Sequence, residues 1–229
     1  MNIAIIPARS QSKRIKNKNI KKFMGKPIIA WSIEAAKKSK IFDEIIVSTD
    51  SKKISKIAIK HGAKIPFLRS SKLSDDKSNL IDVMSDVAKF YLRKKIKIDY
   101  MCLIYATSPL LMANNLIKAY KKIKKNKKLD YVLSASKLKG SYFRSFRMQN
   151  GRIYPLFKKN VFRRSQDMTD LYYESAQFIF GRAKSWIMNK HPYLSKTSII
   201  EIDNYKSQDI DNINDWKMTE KIFQIYYQK

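Results

Sequence analysis

The chain has 229 residues, 44% of them hydrophobic and 12% aromatic, so it is long enough to bury the core of a single domain. Its start lacks the basic segment and long apolar run of a secretory signal, and no stretch approaches the ~20 apolar residues of a membrane helix. Cys102 is the single cysteine, which excludes an internal disulfide and suits a cytoplasmic protein. It lies in an apolar run, so we expect it to be buried.

Positive charge dominates the composition. Lysine and arginine number 48 against 19 acidic residues, giving a formal net charge of +29, which by itself is typical of a nucleic-acid-binding protein. The lysines are spread along the chain, as at 15–22, 90–98 and 121–128, and fall mostly on polar faces of predicted helices. They form no nucleic-acid recognition motif with aromatic residues interleaved at stacking positions. We therefore favour a solvated background and keep nucleic-acid binding as the alternative from a different class.

Strands and amphipathic helices alternate over the first 136 residues. Apolar or β-branched runs predict strands at 1–8, 44–50, 64–69, 99–110 and 130–136. Helical spacing of apolar residues predicts helices at 27–40, 51–62, 78–95 and 113–126. Gly62 is expected to end the second helix, and Ser78 to be the N-cap of the third. This alternation predicts an α/β fold with a mostly parallel sheet between helices.

The pattern changes near residue 137. Residues 141–157 alternate large and polar side chains around Asn150-Gly151, a strong hairpin signal. We predict one domain over 1–229 that carries a small antiparallel excursion at about 138–175. The regular pattern resumes at 176–190 and 197–203, and a last helix is expected at 211–229.

Ligands of open α/β sheets bind at the carboxyl ends of the strands, which draws attention to the polar segment that follows the first strand. The segment PARSQSKRIKNKN (7–19) holds five basic residues and no glycine. It matches neither the P-loop nor the G-x-G-x-x-G fingerprint. Its cations would suit phosphate oxygens, and the alternative is a solvated surface loop.

Another candidate segment is Gln208-Asp209-Ile210-Asp211, which we interpret as a strand exit. If it is extended, its two carboxylates project to the same side and could hold a hard divalent cation. A lone D-x-D is common by chance and would then be only a polar strand end. Combined with a basic phosphate loop, it is what nucleotidyl transfer from a triphosphate requires, because the cation offsets charge on the leaving pyrophosphate.

The segments IPARSQSKRIKNKN, GKPIIAWSIEAA, IIVSTD, LRSSKLSDD, ATSPL and QDID follow one another along nearly the whole chain. In this order they resemble the CMP-sialic-acid synthetases, the acylneuraminate cytidylyltransferases. The resemblance is strongest to the branch that activates pseudaminic acid, because SKRIKNKN replaces the glycine-bearing SKG form and because SYFRSF and RRSQDMTDLYYESA fit that branch. It implies a Rossmann-like nucleotide-diphospho-sugar transferase fold whose excursion serves dimerisation and sugar contacts.

The same resemblance implies the reaction and its partners. CTP and a nine-carbon 2-keto sugar acid would give a CMP-sugar for cell-surface glycans or flagellin, with Mg²⁺ or Mn²⁺ as cofactor, in a cytoplasmic homodimer. The sugar's anomeric hydroxyl would attack the α-phosphorus directly. CMP-N-acylneuraminate or CMP-legionaminate synthesis and transfer to the eight-carbon acid KDO remain alternatives. The general base stays open between Asp211 and a hydroxide on the cation.

Roles for individual residues are also implied by the resemblance. The nucleotide-binding residues would be Ala8, Arg9, Ser12, Lys13, Lys18, Asn19, Arg69 and Ser108. Arg9, Lys18 and Asp211 would be catalytic, and Asp209 and Asp211 would hold the metal. The sugar-binding residues would be Tyr105, Arg164 and Gln166. Tyr105 and Leu111 stand where sialate enzymes carry glutamine and arginine, so we expect both on the substrate side and sialic acid itself to be disfavoured.

Overall fold

The computed structural model describes residues 1–75, 79–138 and 140–227. Within these ranges the chain forms ten strands and six α-helices. The strands are β1 (Asn2–Pro7), β2 (Lys22–Phe23), β3 (Lys26–Pro27), β4 (Glu44–Ser48), β5 (Tyr100–Ile104), β6 (Tyr131–Lys137), β7 (Phe146–Gln149), β8 (Arg152–Pro155), β9 (Tyr172–Arg182) and β10 (Thr197–Glu201). The helices are α1 (Ile28–Ser39), α2 (Lys52–Lys60), α3 (Leu80–Arg93), α4 (Ala113–Lys125), α5 (Ala183–Ile187) and α6 (Ile213–Tyr227). None of the described helices is long and apolar enough to cross a bilayer.

A six-stranded central sheet has the order β10-β6-β9-β5-β1-β4. Strand β1 pairs in parallel with both β4 and β5, and β10 pairs in parallel with β6. Strand β9 runs antiparallel to its neighbours β5 and β6. The predicted α/β fold with a mostly parallel sheet is therefore confirmed. The chain leaves β1 on one side for β4 and returns to the other side for β5, so the strand order reverses between β1 and β5.

Helices cover both faces of the sheet, which explains why its strands are apolar throughout. On one face, Ile33 of α1, Ile54 of α2 and Leu116 of α4 share a cluster with β1 and β5. On the other face, Met84 of α3 and Trp186 of α5 pack against the sheet. Cys102 of β5 is buried in the cluster of the first face, as predicted, and burial raises the pKa of its thiol well above the ordinary value.

A third cluster holds the C-terminal helix α6 against the short β2–β3 ribbon. Phe23 meets Trp216 edge-on with ring centroids 5.4 Å apart. Ile15 of the basic loop and Ile210 of the D-x-D segment are buried in the same cluster. Two segments that are remote in sequence are therefore anchored in one apolar core.

The excursion contains the predicted hairpin. Strands β7 and β8 pair antiparallel, and the turn between them is Asn150-Gly151. Both turn residues have positive φ, 51° and 72°, as a type I′ turn requires. All eight strand residues are exposed, and β7 and β8 form a sheet of their own.

Three sequence expectations need correction. Residues 64–69 form no strand but a single bridge from Lys64 to Ile46, because Pro66 cannot donate to a sheet ladder. The main sheet resumes at Tyr172, so 172–175 belongs to β9 and not to the excursion. The D-x-D segment follows an irregular connection after β10 and is not itself the end of a strand.

The predicted helix caps have two different outcomes. Gly62 follows α2 with φ +93°, as expected for a helix C-terminus. Ser78, the expected N-cap of α3, lies outside the described residues. The side chain of Asn79 instead accepts a hydrogen bond from the backbone N–H of Asp82 at 2.8 Å and caps this helix.

Candidate active site

A cavity of about 660 Å³ opens beyond the carboxyl ends of β1 and β5, where the strand order reverses. Its lining includes the following predicted residues: Arg9, Ser12, Lys13, Lys18, Asn19, Arg69, Tyr105, Asp209 and Asp211. It also includes Arg14 of the basic loop and residues to which the sequence analysis gave no role: Gln11, Leu73, Asp75, Leu80, Val83 and Thr107. The basic loop and the D-x-D segment therefore meet at one site.

The basic loop folds over the end of β1 without glycine. Asn17 takes the left-handed conformation, with φ 55° and ψ 33°, which asparagine tolerates better than most residues. Ile15 inserts into the apolar cluster under the loop, and the Asn19 side chain donates to the carbonyl of Arg9 at 3.0 Å. These contacts fix the backbone while the cationic side chains line the cavity.

Lys18 joins the basic loop to the D-x-D segment. Its Nζ donates to the carbonyl of Ile210 at 2.6 Å and lies 3.9 Å from Oδ1 of Asp211. Burial lowers the pKa of Lys18, and the charges of Asp211 and Asp209 oppose that effect. Lys18 is thus a half-buried cation beside two carboxylates, well placed for an anionic ligand.

Asp209 and Asp211 flank buried Ile210, and both line the cavity. The backbone N–H of Asp211 donates to Oδ2 of Asp215 at 2.9 Å, so the start of α6 fixes this segment. Arg14 Nη1 forms an ion pair with Asp211 Oδ2 at 2.7 Å. Arg14 belongs to the predicted basic loop, but its pairing with Asp211 had no sequence signal.

The donor chemistry of this pair fits a magnesium ion. Partial burial raises the pKa of Asp209, and the negative charge of Asp211 raises it further. A divalent cation would relieve this repulsion between the two carboxylates. The described residues contain no group of three or more carboxylate, histidine or cysteine ligands. Two carboxylates are a usual protein share for Mg²⁺, which takes its other ligands from water and substrate phosphates.

Arg69 lines the cavity near β4, and Asp50, which does not line it, bonds to the basic loop. Arg69 is 6% exposed, its Nε donates to Ser74 Oγ at 3.2 Å, and burial lowers its pKa. Asp50 accepts hydrogen bonds from both the backbone N–H, at 2.8 Å, and the hydroxyl of Ser10. The sequence analysis gave Asp50 no role, although Asp50 ends the strand predicted at 44–50. Asp50 therefore ties the basic loop to the edge of β4.

Tyr105 forms the wall beyond β5. Its hydroxyl donates to Glu174 Oε1 at 2.7 Å, and burial and the Glu174 carboxylate raise its pKa. Glu174 also accepts a hydrogen bond from the Tyr193 hydroxyl. Neither Glu174 nor Tyr193 was predicted to belong to the site.

Some of the residues singled out from sequence do not line the cavity. Ala8 is buried and its backbone N–H bonds to Ser48, while the Ser108 hydroxyl donates to the Ala176 carbonyl at 2.8 Å. Leu111 is 5% exposed within the apolar core, so the expectation that it faces the substrate is wrong. Arg164 and Gln166 are exposed on the excursion, and their sugar contacts stay a prediction.

The doubly wound sheet and the cavity with cations and paired carboxylates define a nucleotidyltransferase class of protein. Residues 3–228 match the family described as "Cytidylyltransferase", and the chain belongs to this family. The resemblance inferred from sequence and the enzyme class are thereby confirmed.

Comparisons with individual proteins agree with this assignment. The chain is 35% identical over 228 residues to the pseudaminic acid cytidylyltransferase of Campylobacter jejuni, covering 99% of this chain and 98% of that protein. It is 33% identical over 225 residues to the CMP-N,N'-diacetyllegionaminic acid synthase of Legionella pneumophila, covering 97% and 96%. The solved CMP:2-keto-3-deoxy-manno-octonic acid synthetase, complexed with CTP, covers 98% of both chains with a TM-score of 0.72. At 13% identity, that last similarity supports the fold alone.

Proposed function

We propose that this cytidylyltransferase joins CTP to a nonulosonic acid, with pseudaminic acid preferred, and releases pyrophosphate and a CMP-sugar. One observation carries the proposal: a basic loop and a pair of carboxylates line the same cavity. Lys18 and Ile210 are 192 positions apart in the chain, yet Lys18 Nζ donates to the Ile210 carbonyl. Similarity to enzymes named for pseudaminic and legionaminic acids supports the class of acceptor.

The cavity walls suggest how CTP would bind. Arg9, Lys13 and Lys18 would bind the triphosphate, the arginine as a planar fork and the lysines as point charges. Arg69, on the neighbouring wall, would contact the cytosine ring. Because the loop backbone is already fixed by Ile15 and Asn17, little ordering entropy would be lost on binding.

Asp209 and Asp211 would hold Mg²⁺ or Mn²⁺, which when bound offsets negative charge on the phosphates and the departing pyrophosphate. The sugar's anomeric hydroxyl would attack the α-phosphorus and lose its proton to a general base, for which Asp211 is a candidate, as the bond from that phosphorus to pyrophosphate breaks. Among the described residues no histidine or cysteine lines the cavity, which supports direct displacement over a covalent intermediate. Lys18 would stabilise the pyrophosphate as it leaves, since it is half-buried where solvent screens charge least.

We also propose a cytoplasmic homodimer formed through the excursion. Its large apolar side chains are exposed in the single chain, with Phe162 97% and Met148 73% exposed. Exposed apolar groups of this kind typically mark an interface. Arg164 and Gln166 lie in the same segment. A dimer formed through this segment would bring them to the cavity of the second copy. CTP as substrate and an unpaired, buried Cys102 suit the cytoplasm.

The test is a pyrophosphate-release assay with CTP, magnesium and a panel of 2-keto sugar acids, with omission of the acid as the control. Pseudaminic acid should be used with a kcat/KM at least about tenfold above N-acetylneuraminate, a transition-state preference of ~1.4 kcal/mol. A tenfold preference for legionaminic acid or N-acetylneuraminate would overturn the choice of acceptor. Absence of pyrophosphate with every acid would overturn the proposed reaction.

A further inference from the structure

Glu174 lies between two tyrosine hydroxyls beside the cavity. Tyr105 donates to one carboxylate oxygen at 2.7 Å, and Tyr193 donates to the other. Glu174 forms no ion pair with any described residue. Because an ionised carboxylate can only accept hydrogen bonds, the direction of both bonds is fixed.

A local irregularity in β9 accounts for the position of Glu174. The β6–β9 register shifts between Leu133 and Ala135, and Glu174 lies opposite Ala135. Ala176 has φ +49°, a conformation that is uncommon for a non-glycine residue, and its carbonyl accepts a bond from the Ser108 hydroxyl. Bulges of this kind occur next to active sites, where they redirect a side chain.

We infer that Glu174 is a positioning residue that makes the Tyr105 oxygen a hydrogen-bond acceptor toward the sugar acid. The phenol has one proton, which it donates in the hydrogen bond to Glu174, so its oxygen keeps lone pairs that can accept a hydrogen bond, and Tyr105 lines the cavity. An acylamino N–H or a hydroxyl of the sugar is the donor that such an oxygen selects. This inference rests on the proposed function.

Charge also orients the sugar acid at this wall. Glu174 lies close enough to Asp209 for their charges to repel each other, in addition to the effects of burial and Asp211 on Asp209. A substrate carboxylate would be repelled by Glu174, whereas the cation proposed at Asp209 would offset the charge of that residue. The neutral acylamino and hydroxyl groups would therefore face Tyr105, and the acid group would face the cationic loop.

The experiment compares Tyr105→Phe, Glu174→Ala and Glu174→Gln with a matched control, Tyr131→Phe. Like the Tyr105 hydroxyl, the Tyr131 hydroxyl donates one hydrogen bond, in this case to the backbone carbonyl of Lys190 at 2.8 Å, but Tyr131 does not line the cavity. KM for the sugar acid should rise about fivefold to tenfold in Tyr105→Phe and Glu174→Ala, the scale of one lost hydrogen bond. KM for CTP should stay within twofold in every variant.

Glu174→Gln should give an intermediate KM, because the two hydroxyls donate to different carboxylate oxygens and the amide keeps only one accepting oxygen. Tyr131→Phe is expected to lower the melting temperature and to leave both KM values unchanged. Melting curves of the other variants check that they fold. A sugar-acid KM within twofold of wild type in folded Glu174→Ala and Tyr105→Phe would overturn the inference. Failure of the wild-type chain to use any sugar acid would instead overturn the proposed function.

Discussion

The cavity and the excursion differ in how far this single chain completes them. In the cavity, functional side chains are held by the core: Lys18 bonds to the Ile210 backbone, and Arg69 is 6% exposed. In the excursion, β7 and β8 pair only with each other, and Phe162 is 97% exposed. The difference teaches that one chain preorganises the proposed nucleotide site, while the apolar surface of the excursion lacks a covering partner in the described chain.

This contrast assigns different parts of the proposed reaction to the cavity and to the excursion. The phosphates and the cation would be bound by residues after β1 and before α6, two segments that Ile15 and Ile210 anchor in one apolar cluster. The sugar would be recognised partly by Tyr105 on the same core and partly by the excursion. Variants in the cavity should therefore affect turnover most, and variants in the excursion should affect assembly and sugar use.

The largest effect is expected for Asp211→Asn and Asp209→Asn. Either change removes one of two carboxylates proposed to hold the cation, whose contribution grows as charge moves to pyrophosphate. Turnover should fall about 100-fold or more, roughly 3 kcal/mol, while the affinity for CTP falls modestly. Stopped or continuous pyrophosphate-release kinetics and CTP titration calorimetry measure the two quantities.

Stability provides the control for these variants. Asparagine keeps the size of the side chain, and the lost Arg14–Asp211 ion pair is largely exposed, so melting temperatures should change little. Excess magnesium should restore part of the turnover if the loss is in metal affinity. Near-normal turnover in both variants would show that the cation binds elsewhere, and would break the assignment of catalysis to the cavity.

Phe162→Asp tests the other region. A charge at this exposed apolar position should prevent a second copy from covering the excursion, so the chain should become monomeric. We expect kcat/KM for the sugar acid to fall about tenfold, with CTP affinity within twofold of wild type. Light scattering coupled to size-exclusion chromatography measures the assembly.

Ile59→Asp is the matched control, since Ile59 is also a large exposed apolar residue, 57% exposed, but lies on α2 away from the excursion. It should leave both assembly and kinetics unchanged. If the wild-type chain were monomeric, or if Phe162→Asp remained dimeric, the excursion would not be the interface.

The fold was largely predictable because its signals are local. Apolar strands and amphipathic helices alternate, and Asn150-Gly151 specifies a tight turn wherever it lies in the chain. The prediction of a strand at 64–69 was wrong. The residues there have a high β-propensity, but Pro66 has no N–H to donate to a ladder. The antiparallel direction of β9 was not predicted, since strand direction depends on the route of the chain and not on side-chain pattern.

The site was predictable only where a motif carried it. The basic loop and D-x-D were found from charge type and spacing, and the structure brings them together. Glu174 and Asp50 were missed because each acts through a partner distant in sequence, Tyr105 in one case and Ser10 in the other. Leu111 was placed on the substrate side by its motif, but the turn after β5 directs it into the core.

Asp50→Asn tests how strongly the basic loop is anchored. An amide has one accepting oxygen, so it can keep only one of the two hydrogen bonds from Ser10. The loop should become less well ordered, and KM for CTP should rise about threefold to fivefold, on the scale of ~1 kcal/mol for one hydrogen bond. Sugar-acid KM should not change, which separates this wall from that of Tyr105.

The stability effect of Asp50→Asn should depend on pH. Burial would raise the pKa of Asp50, but the hydrogen bonds from Ser10 and the charge of Arg69 outweigh it, so the pKa is lowered. A carboxylate with a lowered folded-state pKa stabilises the fold above its unfolded-state pKa of about 4 and loses that contribution as the pH falls through the folded value. The wild type should melt higher than the variant at pH 7, and the difference should shrink below pH 4. A difference that is constant with pH would contradict the anchoring role of the charge.

The smallest effect is expected for the triple variant Lys125→Gln, Lys127→Gln and Lys128→Gln. These exposed lysines precede β6 at the amino edge of the sheet, whereas the cavity opens at the carboxyl edge, so they lie roughly 15–20 Å away by the length of a strand. That distance exceeds the ~8 Å over which charges interact at physiological salt, so kcat/KM for CTP should stay within twofold of wild type. At low salt a modest loss is expected, because three fewer cations attract the triphosphate less strongly from a distance.

Retention on random duplex DNA should be weak in the wild type, weaker in the variant, and abolished in both by added salt, as counterion release dictates. A fall in kcat/KM above fivefold at physiological salt, or a sequence-selective DNA complex that survives it, would show that the positive charge outside the cavity has a ligand of its own.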